Sequence, residues 1–371
     1  MSTLSTDCPE FVIHLDYPPE KRWTHVIKYF KDIIPKSKEI SIQFLGQDLV
    51  NLVIPMFNIA FCSDNIIYKE ELIAIANQIN IDVGELLLLQ LVYEAFACCT
   101  SVIVRGEKHP IHIRNMNWNL PILRDLTFQA KYKIKNRTVF TGTSWAGYIG
   151  VLTGMRNKLN KNEESYSISV NYRESPESYK IPYAGYLRNI YRTLKGYWPI
   201  GYLVREVLTY DATYQSAIES FQTAQLISPT YISICGEKNT QGSIITRNRD
   251  VCEPMYVKHL AFSTNLIQAN IDHFNDKEYK VKKNNKHSRN IMDSKYRYSY
   301  VDLALNTHRT QTIENLYRMM SLSPCFSYST IYTSIMVPKS KYYKTLVKRN
   351  RELYKKAIRQ FSTTVQYAKK F

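Results

Sequence analysis

Apolar and polar positions follow two different periods along this chain, and the change between them falls near residue 98. Upstream, Lys69-Glu-Glu opens a segment with Leu72, Ile73, Ile75 and Ala76 at helical spacing. Asn80 to Gly84 interrupts it, and a strongly apolar stretch from about Glu85 to Ala97 predicts a second helix. With a short extended start at Phe11 to Leu15, residues 1 to 97 read as largely helical. From residue 98 onward the period becomes two. Ser101-Val-Ile-Val is a β-type run, Arg105-Gly-Glu-Lys a turn, and Ile111-His-Ile-Arg alternates strictly, which predicts a β-hairpin. Further β-type runs are Tyr132-Lys-Ile, Val139-Phe-Thr-Gly-Thr, Tyr166-Ser-Ile-Ser-Val, Tyr231-Ile-Ser-Ile, Ser243-Ile-Ile-Thr and Thr330-Ile-Tyr-Thr-Ser-Ile-Met. Helical runs are expected between them, near Ser178 to Thr193, Val204 to Ala224 and Thr312 to Met320. A helical first part followed by an α+β second part is the expected arrangement.

The length of 371 residues, 44% of them apolar, permits one large domain or two ordinary ones. The longest apolar stretch, Leu86 to Ala97, is broken by Gln90 and Glu94 and is shorter than the about 20 residues of a bilayer span, so it reads as a buried helix. The formal charge of +17 is concentrated in two places. Lys277 to Arg297 holds eight Lys/Arg and two acids, and Lys339 to Phe371 holds eleven Lys/Arg and one Glu. In the second segment Tyr343, Leu346, Val347, Tyr354, Ala357, Ile358, Phe361 and Val365 fall near helical spacing. That pattern reads as a basic amphipathic helix suited to an anionic membrane surface, or as a solvated helix packed on the body. No nucleic-acid-binding motif accompanies it, and no nucleic acid is expected as a partner.

Seven cysteines lie scattered without a C-x-x-C pair, which suggests neither a zinc ribbon nor a disulfide framework. His109 and His112 have no clustered carboxylates beside them, so no metal or other cofactor is expected. The first residues lack the basic start and apolar core of a secretory signal, and an intracellular, cytoplasmic protein is the corresponding expectation. Only Cys98 and Cys99 are unusual, because they are adjacent. If the hairpin turn centres near residues 106 and 107, Cys99 falls opposite Arg114, with about 5 Å between Cα atoms. A cation there would raise the thiolate fraction of Cys99. The same spacing also fits a packed core cysteine beside an edge arginine, since free cysteine is among the most buried residue types.

Longer blocks bear on that choice. Cys99-Thr-Ser-Val-Ile-Val and His109-Pro-Ile-His-Ile-Arg-Asn-Met are followed by Thr141-Gly-Thr-Ser-Trp-Ala-Gly-Tyr-Ile-Gly-Val-Leu-Thr-Gly and Gly242-Ser-Ile-Ile-Thr-Arg-Asn-Arg-Asp. Gln268-Ala-Asn-Ile-Asp-His-Phe and Ile331-Tyr-Thr-Ser-Ile-Met come later, and Ile13-His-Leu-Asp-Tyr-Pro-Pro-Glu-Lys-Arg-Trp lies upstream. From about residue 11 to 349, this series resembles the acid ceramidase and N-acylethanolamine-hydrolysing acid amidase family of lysosomal N-terminal-nucleophile hydrolases. The resemblance implies a four-layer αββα fold, with two stacked antiparallel sheets between helical layers. It implies that residues 1–98 are a helical pro-segment, 99–349 the catalytic domain and 350–371 a basic tail. The chain would cut itself between Cys98 and Cys99, and the two fragments would stay together. Cys99 would then attack a lipid amide, an N-acylethanolamine or a ceramide, with its own α-amine as base. By the same resemblance Asn270 is an oxyanion donor, Arg114 and Arg297 are active-site arginines, and Trp145 and Tyr172 bind substrate. A lysosomal location is the family's expectation.

Two positions depart from the family pattern. Asn117 and Tyr172 stand where the family has acidic residues, so an uncleaved, catalytically impaired lipid- or membrane-binding relative is the competing reading. Cys8 matches a family cysteine that links the subunits, but its partner position is Ala304.

Overall fold

The computed structural model describes residues 6–37, 41–42, 46–92, 98–174, 184–250, 257–272, 286–307 and 311–348. Fourteen strands form among them: β1 (Thr6–Asp7), β2 (Glu10–His14), β3 (Thr100–Val104), β4 (Ile111–Asn117), β5 (Thr127–Ile134), β6 (Arg137–Trp145) and β7 (Thr153–Arg156), then β8 (Tyr166–Tyr172), β9 (Thr230–Cys235), β10 (Gly242–Arg247), β11 (Val257–His259), β12 (Asn265–Gln268), β13 (Thr330–Val337) and β14 (Tyr342–Val347). They make a six-stranded sheet, β1-β14-β13-β4-β3-β12, and an eight-stranded sheet, β11-β10-β9-β8-β7-β6-β5-β2. Every pairing is antiparallel except β2 with β5.

Period-two patterning sorts the layers. In β3 and β4, Val102, Val104, Ile111 and Ile113 face outward and pack with Val301, Leu305 and Leu316 of the helices Lys286–Thr307 and Ile313–Met320. The alternate residues Ser101, His112 and Arg114 face the other sheet and bond to side chains or backbone of β7 and β8. The outer face of the eight-stranded sheet is covered by helix Ile200–Tyr210, whose end receives the Tyr166 hydroxyl at Val207 O and the Arg156 guanidinium at Leu208 O. The result is the four-layer αββα sandwich, helices on each side of two stacked sheets.

The residues before Cys98 are woven into this body. β1 joins the six-stranded sheet and β2 the eight-stranded one. Helix Lys69–Ile79 adds a buried ion cluster: Glu71 accepts from Arg205 at 2.7 and 2.9 Å, from Arg22, and from the Trp23 ring N–H at 2.6 Å. Burial works to raise the Glu71 pKa, but Arg205, these hydrogen bonds and Arg22 overcome it and bring it to about 2. Cys8 is a buried free thiol, and burial pushes its pKa up to about 12.

Several expectations change. The hairpin pairs Thr100 with Asn115 and Ser101 with Arg114, so Cys99 does not lie opposite Arg114. The loop curls around Gly106, where an added Cβ would lie 2.2 Å from the His109 carbonyl oxygen, and this moves the register by two residues. An even shift keeps every side chain on its face, so Arg114 still shares the inner face with Cys99. The run Val204 to Ala224 is two helices, Ile200–Tyr210 and Tyr214–Thr223, because Thr213 caps the second with a reciprocal Ser216 box. The segment from Lys339 does not begin as a helix. Residues 338–340 form a 3₁₀ turn and Tyr342–Val347 is strand β14, its Tyr343 hydroxyl bonded to Thr143 and Val347 packed in the core. Spacings of three and four residues in so short a run do not separate helix from strand, and sheet pairing decided it. Residues 349–371, which hold the rest of that expected helix, lie outside the described residues, as do 93–97 and 175–183. Among the described residues no single helix is long and apolar enough to cross a membrane.

Candidate active site around Cys99

Cys98 and Cys99 enter the six-stranded sheet at the start of β3, and an arginine meets them from each face of that sheet. On the inner face, the fully buried Cys99 thiol accepts a hydrogen bond from Arg114 Nη2 at 2.9 Å. The Cys99 sulfur also lies 3.5 Å from Met116 Sδ. Arg114 reaches it diagonally, from a position opposite Ser101. The same guanidinium donates to Val170 O at 2.8 Å, to the Tyr332 hydroxyl at 2.8 Å and to Thr153 Oγ1. Burial alone acts against its charge, yet Cys99 and Tyr332 outweigh that and hold Arg114 firmly protonated.

From the outer face comes Arg297, on helix Lys286–Thr307. Its Nη1 donates to the Cys99 carbonyl and to Thr100 Oγ1 at 2.7 Å, and lies 3.5 Å from the Cys98 carbonyl oxygen. Its Nη2 donates to Ser294 Oγ at 2.9 Å and to Asn270 Oδ1 at 3.1 Å. Asn270 in turn donates through Nδ2 to the Tyr172 carbonyl at 2.7 Å. Among the described residues no carboxylate forms an ion pair with either Arg114 or Arg297.

Asn117 closes the group. Its carbonyl accepts the Cys98 N–H at 2.7 Å, and its Nδ2 donates to Cys325 O at 3.1 Å. Its Oδ1 is buried without a partner among the described residues. Burial raises the pKa of the neighbouring Cys98 thiol, against the pull of Arg297.

Cys99, Arg114, Asn117, Asn270, Arg297 and Tyr172 therefore come together around one peptide bond, although they lie on β3, β4, β8, the β12 exit and a helix. Trp145 is placed differently. It is buried in the core against Trp118 and Tyr148, and meets the site through Tyr332, with ring centroids 6.1 Å apart. Sequence reasoning did not single out the residues that hold the arginines: Tyr332, Thr153, Thr100 and Ser294. Tyr332 had a usable signal, since it lies in the Ile331-Tyr-Thr-Ser-Ile-Met block at a position whose parity faces the other sheet.

The chain resembles known proteins along most of its length. A family model described as the beta subunit of N-acylethanolamine-hydrolyzing acid amidase matches residues 6–58. An uncharacterised protein of Acanthamoeba polyphaga mimivirus is 30% identical over 320 residues, covering 86% of this chain and 92% of the viral one. Acid ceramidase of Homo sapiens is 28% identical over 358 residues, covering 88% of this chain and 83% of its own. Among solved structures, the Caenorhabditis elegans N-acylethanolamine-hydrolyzing acid amidase ortholog matches at 25% identity and a TM-score of 0.53, over 67% of this chain and 99% of that one. The chain belongs to the acid ceramidase and N-acylethanolamine-hydrolysing acid amidase family.

Proposed function

We propose that this chain cuts itself between Cys98 and Cys99 and then hydrolyses the amide bond of a lipid N-acyl amine with Cys99. The observation that carries this is the buried Cys99 thiol, 2.9 Å from an arginine with no carboxylate partner among the described residues. That guanidinium fixes the sulfur in place beside the Cys98–Cys99 peptide bond. In self-cleavage the Cys99 sulfur adds to the Cys98 carbonyl carbon, and the C–N bond breaks as the nitrogen takes up the proton that the thiol gives up. Water then hydrolyses the thioester, leaving a carboxylate on Cys98 and a free amine on Cys99. Arg297 Nη1, 3.5 Å from the Cys98 oxygen, would be a donor to the developing oxyanion. Asn270 Nδ2 is engaged by the Tyr172 carbonyl in the uncut chain, so its oxyanion role belongs to the later, lipid reaction. Loss of one such donor typically costs about 10²–10³ in rate.

The liberated amine, with a pKa near 7.7–8.0 in its ordinary state, takes the Cys99 proton as the sulfur attacks the substrate carbonyl. The leaving amine departs with that proton, and water releases the fatty acid from the thioester. Asn117 Oδ1, on the strand next to Cys99 and without a partner among the described residues, would receive an N–H of the new amine. The match of a separate subunit model within residues 6–58 supports residues 1–98 as the small fragment and 99–349 as the catalytic one. β1, β2 and the Glu71 cluster would hold the fragments together without a disulfide. The seven Lys/Arg and one Glu of residues 349–371 form the tail that would meet an anionic membrane. Because β14 belongs to the body, that tail is tested by truncation after Lys348: flotation with anionic vesicles should fall, and unchanged flotation removes the membrane from the proposal.

The enzyme reading is tested by fatty-acid release from an N-acylethanolamine and from a ceramide, at acid and neutral pH. Wild type should hydrolyse at least one and Cys99→Ala neither. Asn117 and Tyr172, neutral where a carboxylate would hold the amine, favour the second reading of an uncut lipid-binding relative. A wild-type chain that binds vesicles yet releases no fatty acid at any pH selects that reading instead.

A further inference from the structure

A line of buried polar side chains runs between the sheets and ends at the segment bearing Asn270. His112 lies between two serines of β8, with Nδ1 3.0 Å from Ser167 Oγ and Nε2 2.8 Å from Ser169 Oγ. Ser169 Oγ is 2.7 Å from Ser101 Oγ, which donates to Asn171 Oδ1 at 2.7 Å. Asn171 Nδ2 then donates to two backbone carbonyls, Gln268 O at 2.8 Å and Ala269 O at 3.1 Å. All five side chains are buried.

Donor and acceptor counting gives this line a single direction. Two carbonyls can only accept, so the Asn171 amide nitrogen must face them and its oxygen must face Ser101. Ser101 spends its one proton on that oxygen, and therefore accepts from Ser169. Ser169 in turn accepts from His112, which must carry its proton on Nε2. The other ring nitrogen is then an acceptor for Ser167. Burial and the nearby Arg114 keep the ring neutral, lowering its pKa to about 3.

The far end explains the purpose. After β12 the chain leaves the ladder, and its carbonyls turn inward: Gln268 Nε2 donates to Ala269 O and Ile271 O, both at 3.0 Å. With Asn171 on Gln268 O and Ala269 O, two side-chain amides pin the backbone on both sides of Asn270. We infer that Asn171 and Gln268, backed by the Ser101–Ser169–His112 line, are positioning residues that aim the Asn270 side chain for the lipid reaction. This rests on the proposed amidase reading. Asn171 and Gln268 touch no reacting atom; they act through Asn270.

Two measurements on the full-length protein test it. Nitrogen chemical shifts should show His112 as the Nε2–H tautomer, and an Nδ1–H tautomer overturns the one-way line whether or not the protein is an enzyme. Asn171→Asp keeps the acceptor for Ser101 but cannot donate to the two carbonyls. Its kcat for lipid amide should fall about 10- to 100-fold with KM changed less than about threefold, as for a misaimed group. Self-cleavage should proceed at the wild-type rate, which also reports that the variant is folded. Unchanged kcat, or a loss expressed in KM alone, overturns the positioning role. A variant that neither cuts nor folds is replaced by Gln268→Glu, for which the same kcat loss is expected and an unchanged kcat is again contrary. If wild type releases no fatty acid, the amidase reading and this role both fall, whereas an active wild type with a normal Asn171→Asp defeats this inference alone.

Discussion

Arg114 and Arg205 are both buried, and they are partnered in opposite ways. Arg205 faces a carboxylate squarely, with two hydrogen bonds to Glu71, and its guanidinium lies 4.4 Å from the Tyr68 ring centroid. Arg114 faces a thiol, two hydroxyls and a carbonyl. The first arrangement neutralises the charge locally and spends it on holding residues before Cys98 against the rest of the chain. The second leaves a full positive charge aimed at sulfur. A buried cation without an acid is costly, and it persists where it stabilises a charge that forms during a reaction. On the proposed reading the two arginines separate adhesion from chemistry, and substitutions should separate them too.

Glu71→Gln should have the largest effect on stability. It leaves Arg205 without its carboxylate, a change of about 3–5 kcal/mol for a broken buried pair, to be read from urea unfolding. Molecules that remain folded should still cut themselves at the wild-type rate. Arg114→Met should do the reverse. Self-cleavage and lipid hydrolysis should fall at least about 10²-fold, on the scale of other electrostatic donors, with a smaller shift in the urea midpoint. If both variants lose stability and activity in equal proportion, the distinction between the two arginines is wrong.

Acid sharpens the comparison. The folded pKa of Glu71, about 2, lies below its ordinary 4.5. A depressed carboxylate contributes stability above its unfolded pKa and loses it as pH falls through the folded one. Wild type should therefore lose the Glu71 contribution progressively between about pH 4.5 and about pH 2, and Glu71→Gln should lack that part of the slope. The smallest expected effect is that of Asn117→Asp. A carboxylate beside the new amine stabilises its charged form, and self-cleavage should quicken several-fold, to be timed by gel. A slower cut would mean that the unpartnered Oδ1 serves no incoming amine.

Much of this was legible in the sequence, for reasons that differ by region. The strands β3, β4, β8, β9, β10 and β13 announced themselves because they alternate or run apolar between turn residues. Arg114 and Cys99 could be brought together from parity alone, and parity survived the error of two residues in register. Strand β14 was misread because Tyr343, Leu346 and Val347 satisfy a helical spacing, which hid the hairpin with β13 just before it, while its other partner, β1, is distant in sequence. Helix Lys286–Thr307, which brings Arg297, was invisible to periodicity. Charged and polar residues fill most of its positions, and contacts such as Val301 and Leu305 with β3 and β4 help anchor it. The placement of Arg297 came from resemblance, and its grip on the Cys98 and Cys99 carbonyls could not be read from spacing. Trp145 was singled out because it lies in a well-matched block, and the strand around it is buried on both faces.

The proposed chemistry turns on where a new N-terminus forms. Purified wild-type protein, held at acid pH and then analysed by intact mass and N-terminal sequencing, should yield a large fragment that begins at Cys99, while Cys99→Ala under the same conditions stays whole. A large fragment that begins at any other residue, or a Cys99→Ala chain that still parts between Cys98 and residue 99, would contradict the assignment of Cys99 as both the cutter and the nucleophile.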